Sequence, residues 1–188
     1  AAPDAPRVAV YVTAPNANLA ASAPAGTFSF KESFGPANVA AGDYQIRVTP
    51  AGTPGTVVFD SGTVRLDAGA DLLIVAVPNT TTGSAPITLL ATTPGGDVVE
   101  LLDRTTPARL RVIHASPDAP PVSVFANDNF AQALVPALAY PSFTPFVDVP
   151  PASYNLKVTP VGNPGAIVIN ADATLARGAE YSVFAVGR

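Results

Sequence analysis

His114 is the single histidine of the chain, and Ser116 and Asp118 follow it within His114-Ala115-Ser116-Pro117-Asp118-Ala119-Pro120. A hydroxyl, an imidazole and a carboxylate are the residue types of nucleophilic hydrolysis, in which the ring takes the hydroxyl proton and the acid orients the other ring nitrogen. Residues this close along a chain rarely reach that arrangement, and Pro117 breaks any strand that would carry them. The favoured reading is structural: a histidine whose ring bonds the backbone of a turn. Asp118, and Asp4 in the shortened copy Ala1-Ala2-Pro3-Asp4-Ala5-Pro6, fit the same reading, because an aspartate can bond N–H groups two residues on while proline sets φ. One carboxylate per motif falls short of the six or more oxygens that calcium takes. Neither a catalytic centre, nor a metal site, nor a cofactor site is expected.

Other candidates are weaker. Asn127-Asp128-Asn129 opens like a calcium loop but lacks its glycine and distal glutamate, and reads as a hairpin turn. Asn79-Thr80-Thr81 fits a glycosylation sequon in a loop. Phe28, Phe30, Phe34, Phe130, Tyr140, Phe143 and Phe146 are expected to fill cores, since the chain has no tryptophan or methionine. Tyr140 and Phe143 are the aromatics that would face a ligand if loop tips bind one.

The elements that must position these residues come in two copies. Tyr44, Ile46 and Val48 alternate with Asp43, Gln45 and Arg47, and Tyr154, Leu156 and Val158 repeat the pattern. Thr49-Pro50-Ala51-Gly52-Thr53-Pro54-Gly55 matches Thr159-Pro160-Val161-Gly162-Asn163-Pro164-Gly165. Leu66 to Asp71 matches Leu175 to Glu180, with Gly69 and Gly178 marking tight turns. Leu72 to Val77 and Tyr181 to Val186 are almost continuously apolar and read as central strands. Ile87 to Leu90, the turn at Pro94-Gly95-Gly96-Asp97 and Val98 to Leu102 read as a closing hairpin.

Short strands punctuated by turn signals predict an all-β fold, two tandem β-sandwich domains of immunoglobulin-like, Greek-key type, covering residues 1–103 and 104–188. The chain has 21 prolines and 14 glycines, spread as punctuation between apolar runs. Only 13% of residues are charged and the net charge is -4, without a basic cluster, which excludes the electrostatic footprint of a nucleic-acid binder. Cysteine is absent, so thiol chemistry and disulfides are excluded. No apolar run approaches the roughly 20 residues of a membrane-spanning helix, and no signal peptide remains in the sequence.

The two copies are complementary. The first lacks a counterpart of Leu110 to His114, and the second lacks one of Thr80 to Asp103. Either the polypeptide continues into further repeats, or neighbouring subunits share strands head to tail, since an unpaired sheet edge is a template for another chain.

These segments resemble the DUF4397 family, exported bacterial and archaeal repeats of unknown function. The resemblance runs through His114 to Phe125, Tyr154 to Gly162 and Leu175 to Gly187, and through the equivalent first-copy segments. The first copy departs in lacking the opening strand and histidine and in having Leu72 where Tyr181 stands; Ser153 stands where the family usually has glycine. The resemblance implies a β-sandwich on an exported or surface protein, often in tandem, and no known activity. The expectation is a non-enzymatic structural or adhesion protein, extracellular or on the cell surface, self-associating through strand edges. The alternative is a surface module that binds polysaccharide or another cell-envelope component.

Overall fold

The computed structural model describes residues 6–187, so Asp4 lies outside the described residues. The chain divides into two compact units at Thr106/Pro107. The first comprises β1 (Val8–Thr13), β2 (Gly26–Phe28), β3 (Gly42–Pro50), β4 (Phe59–Leu66), β5 (Leu73–Pro78), β6 (Ile87–Thr92) and β7 (Val98–Leu101), with one 3-10 turn at Leu19–Ala21. The second comprises β8 (Ala108–His114), β9 (Val122–Ala126), β10 (Val135–Leu138), β11 (Ser142–Phe143), β12 (Val147–Val149), β13 (Ala152–Pro160), β14 (Ile169–Leu175) and β15 (Glu180–Ala185). The fold is an all-β sandwich in tandem.

Each repeat has one four-stranded antiparallel sheet of the same order, β2-β1-β3-β4 in the first and β10-β9-β13-β14 in the second. The second sheets differ. In repeat 1 it is β5-β6-β7, while in repeat 2 β8 lies between β15, parallel to it, and the short antiparallel strands β11 and β12.

The alternating apolar residues meet between the layers, as a period of two dictates. Ile46, Val48, Phe59 and Leu89 form the core of repeat 1. Val112, Val122, Val124, Val135, Leu138 and Val158 form one cluster of repeat 2, and Ala108, Leu110, Val149 and Leu175 form another. The other face of β3 is buried too, at Gln45, Arg47 and Thr49. Ala9, Tyr11 and Leu19 pack together on it. Gln45 Nε2 donates to Asp60 Oδ1 at 2.7 Å and an Arg47 guanidinium nitrogen donates to Thr13 Oγ1 at 2.8 Å, while Arg47 Nε is buried without a hydrogen-bond partner.

Two sequence expectations are corrected. β5 and β15, apolar enough to read as central, each pair with one strand only and stand at sheet edges. The expected linker Asp103 to Ala108 is in large part built into repeat 1. Asp103 is buried, its carboxylate accepts the N–H of Asp60 at 2.7 Å and of Thr105 at 2.8 Å, and Arg104 N–H donates to Asp60 O at 2.7 Å. The unit boundary therefore falls after Thr106 and not after Asp103.

Candidate functional site

His114 closes β8, and its ring is 1% exposed. Nδ1 accepts the N–H of Ser116 at 3.3 Å, so the ring proton sits on Nε2, which donates to Pro120 O at 3.2 Å. The ring thus spans the turn from Ser116 to Pro120. What Ser116 offers the ring is its backbone N–H and not its hydroxyl, so the serine is not poised as a nucleophile. Asp118 is exposed, and the turn closes through Ala119 N–H to Ser116 O at 3.4 Å. The aspartate cap expected from sequence is replaced by the ring, which reaches both ends of the turn. Among the described residues no group of three or more histidines, aspartates and glutamates gathers to hold a metal ion.

The asymmetry between the repeats has a geometric basis in the equivalent strands β5 and β15. In β15, Ala179 O accepts Arg109 N–H and Ala185 O accepts Ala115 N–H, both at 2.9 Å. The backbone groups of Tyr181, Val183 and Ala185 therefore point toward β8, and their side chains point inward. In β5, Asn79 N–H donates to Pro86 O at 3.0 Å, which places the odd-numbered residues Leu73, Val75 and Val77 in hydrogen-bonded pairs with β6. Their sequence counterparts are Ser182, Phe184 and Val186, which face away from β8. Strands of the same direction and the same inward residues present the same backbone groups to the same edge. β6 consequently lies on the edge of β5 opposite to the one β8 takes on β15.

The place beside β5 that corresponds to β8 is thus filled by no strand among the described residues. Three consequences appear in repeat 1. Val8 and Val10 of β1 are partly exposed, whereas their counterparts Val122 and Val124 are buried. Residues 29–41 form no strand, and residues 30–41 are exposed throughout, whereas the corresponding stretch of repeat 2 supplies β11 and β12 against β8. Val39 is 53% exposed and its counterpart Val149 is 5% exposed. The equivalence of Val39 and Val149 is anchored by matching bonds, Tyr44 OH to Ala40 O at 2.8 Å and Tyr154 OH to Pro150 O at 2.7 Å.

Repeat 2 is open on the other side. In repeat 1, β6 and β7 close over the start of β4, and Phe59 there is 0% exposed. Among the described residues no hairpin covers the counterpart in repeat 2, and Val168, Phe184 and Val186 are 61%, 58% and 64% exposed. Among the described residues, one edge of β5 and one edge of β15 thus pair with no strand.

The aromatics separate into three groups. Phe130 packs on Phe125 at 5.2 Å between ring centroids, and Phe28 lies edge-on to Phe34 at 6.2 Å. Phe146 is covered by the guanidinium groups of Arg109 and Arg111 at 4.9 and 4.8 Å, on the outer face of β8. Tyr140 is 45% exposed and lies 6.3 Å from the His114 ring, and Phe143 is 68% exposed beside Ile113. Core packing does not account for these two, nor for Phe30 and Phe34, which are exposed.

Sequence reasoning passed over several positions. The Asp103 anchor lies in a stretch that reads as linker and gives no signal. The Tyr44 and Tyr154 hydroxyl bonds were signalled by a tyrosine at the same place in both copies, a device known from other sandwiches. Asn127 and Asp128 both have positive φ, 53° and 60°, as hairpin-type turns require, and Asp128 pairs with the buried Lys157. Asn79 holds its own loop, with Nδ2 donating to Ala85 O and Oδ1 accepting from Thr81.

The profile of a domain of unknown function, DUF4397, matches residues 1–98 and again 108–188. The chain belongs to the DUF4397 family. No curated protein and no solved structure matches it. The two DUF4397 matches fall one in each sandwich. No helix among the described residues is long and apolar enough to cross a membrane.

Proposed function

We propose that this DUF4397 protein is a non-enzymatic structural or adhesion protein of the extracellular space or cell surface, joined to neighbouring chains along its open sheet edges. The observation that carries the reading is that β5 and β15, both strongly apolar, each pair along one edge only among the described residues. An exposed strand that is apolar on both faces is a liability unless something pairs with it, and β5 is apolar on both faces with no charged residue from Leu72 to Pro78.

Repeat 1 carries a hairpin that the described residues of repeat 2 do not include, and its outermost strand β7 exposes Val98 and Val99 at 60% and 58%. β7 of one copy set against the free edge of β15 in the next extends the sheet across chains. Such a contact joins two different surfaces, and contacts of that kind propagate into filaments when they do not close. The low charge of the chain agrees with close lateral packing.

Light scattering on size-fractionated native material tests the reading. Assemblies of 19.0 kDa chains that dissociate on Phe184→Lys are expected. A monomer at every accessible concentration overturns it. A second reading, capture of polysaccharide or another cell-envelope component, rests on the exposed rings of Tyr140 and Phe143.

A further inference from the structure

We propose that the outer face of the β11-β8-β15 layer is a flat platform for a neutral, β-linked polysaccharide. The inference rests on the second reading above, capture of a polysaccharide, and names the class of glycan and the residues that take it.

The face is fixed by strand register. β8 pairs with β11 on one side and with β15 on the other, which sets Phe143 and Phe184 both beside Ile113. Residues opposed across neighbouring strands share a face, and Ile113 lies between Val112 and His114, whose side chains are buried inward. The three side chains therefore form one outward row across three strands, about 10 Å from end to end at the ordinary strand spacing. Phe143 and Phe184 are 68% and 58% exposed. Val75, the counterpart of Phe184 in repeat 1, has β6 beside it and is still 42% exposed. A further strand in this layer thus leaves its outer face open.

The next two rows along the same strands are polar. Arg111 Nε donates to Ser182 Oγ at 2.7 Å, and Arg109 bonds Glu180 at 2.5 Å and lies 3.7 Å from Asp148. Among the described residues these two guanidinium groups stand against two carboxylates, so the face offers no net field to an acidic glycan, a phosphate backbone or an anionic lipid surface. Nor does it suit a second copy of the sheet. Face-to-face packing interdigitates apolar residues from several rows, whereas here one row is apolar and open, because the guanidinium groups of Arg109 and Arg111 lie over Phe146. An open row of rings beside charge-paired polar groups fits an uncharged sugar chain. Flat, β-linked pyranoses present C–H groups, whose hydrogens carry partial positive charge, to the negative faces of the rings. Their hydroxyls meet the remaining guanidinium N–H groups and carboxylate oxygens.

Native gel electrophoresis of the full chain tests the inference, through hydroxyethyl cellulose, which is neutral, and carboxymethyl cellulose, which is anionic on the same β-linked backbone. Expected are retardation by the neutral polymer that persists when salt is raised, and none by the anionic one. Phe143→Ala should weaken the retardation about tenfold, and Phe143→Trp, with a wider ring, should strengthen it severalfold, a gain that misfolding cannot produce. Val98→Ala, at a position 60% exposed on repeat 1, should change nothing. Added cellohexaose should shift the ring signals of Phe143 and Phe184 together and leave those of the buried Phe59 in place. Retardation that Phe143→Ala does not weaken overturns the inference while glycan capture elsewhere on the chain survives; no retardation by the neutral polymer overturns both. Retardation by the anionic polymer alone, removed by salt, overturns it in favour of an ionic site. Chains that no glycan retards, and that associate until Phe143→Ala separates them, overturn it in favour of a second copy.

Discussion

Val39 and Val149 are equivalent residues in equivalent repeats, and the same substitution at each measures whether the place beside β5 is open. Val149 is 5% exposed and packs with Ala108, Leu110 and Leu175. Val149→Ala removes two methyl groups from that cluster, about 0.8 kcal/mol each in transfer free energy, and leaves a small cavity, for a total of about 2 kcal/mol. For a domain of this size that is a fall in Tm of about 8–16 °C for repeat 2. Val39 is 53% exposed, so Val39→Ala should alter the stability of repeat 1 by no more than about 0.5 kcal/mol. Urea unfolding of the full chain, followed through resolved amide signals of each repeat, separates the two. Equal costs at the two positions in the free chain would mean that the place in repeat 1 is already filled, and the reasoning would fail.

Three other outcomes are expected. Asp103→Ala should destabilise repeat 1 by about 1.5–3 kcal/mol, since the partly buried Asp60 N–H loses a charged acceptor, and leave repeat 2 unmoved in the same unfolding experiment. A Cβ at Gly187 would meet Ser116 Oγ at 2.3 Å, so Gly187→Ala should cost repeat 2 about 1–3 kcal/mol by overpacking; Ser116→Ala should relieve most of that loss in a double-mutant cycle. Tyr140→Ala and Phe143→Ala should leave the fold intact by circular dichroism, and loss of retention on a polysaccharide column in those variants alone would move weight to the second reading.

The duplication, the strands and the sandwich class were legible because turn motifs recur at equivalent positions and inward residues keep a strict period of two. The placement of His114 was legible as well, since a ring with a donor and an acceptor beside a proline-rich turn has backbone groups within reach. The positions of β5 and β15 were not. Continuous apolar character reports that both faces of a strand want cover, and it carries no information on whether the covering strand belongs to the same chain. Which edge of β5 meets β6 follows only from the alternation of hydrogen-bonded pairs, to which side-chain composition is blind. Asp103 escaped for a similar reason: its partner Asp60 lies in a strand far back in the sequence, and a lone acidic residue after a hairpin looks like a solvated linker.

Amide hydrogen exchange at Leu72 and Ile74, compared with Tyr181 and Val183, tests the open edge most directly. In dilute chains the account predicts rapid exchange at the first pair and slow exchange at the second, whose backbone groups face β8. In native assembled material the amides of Ser182 and Phe184, on the free edge of β15, should gain protection. Equal protection of the two pairs in the dilute chain, or free exchange of Ser182 and Phe184 in the assembly, would contradict it.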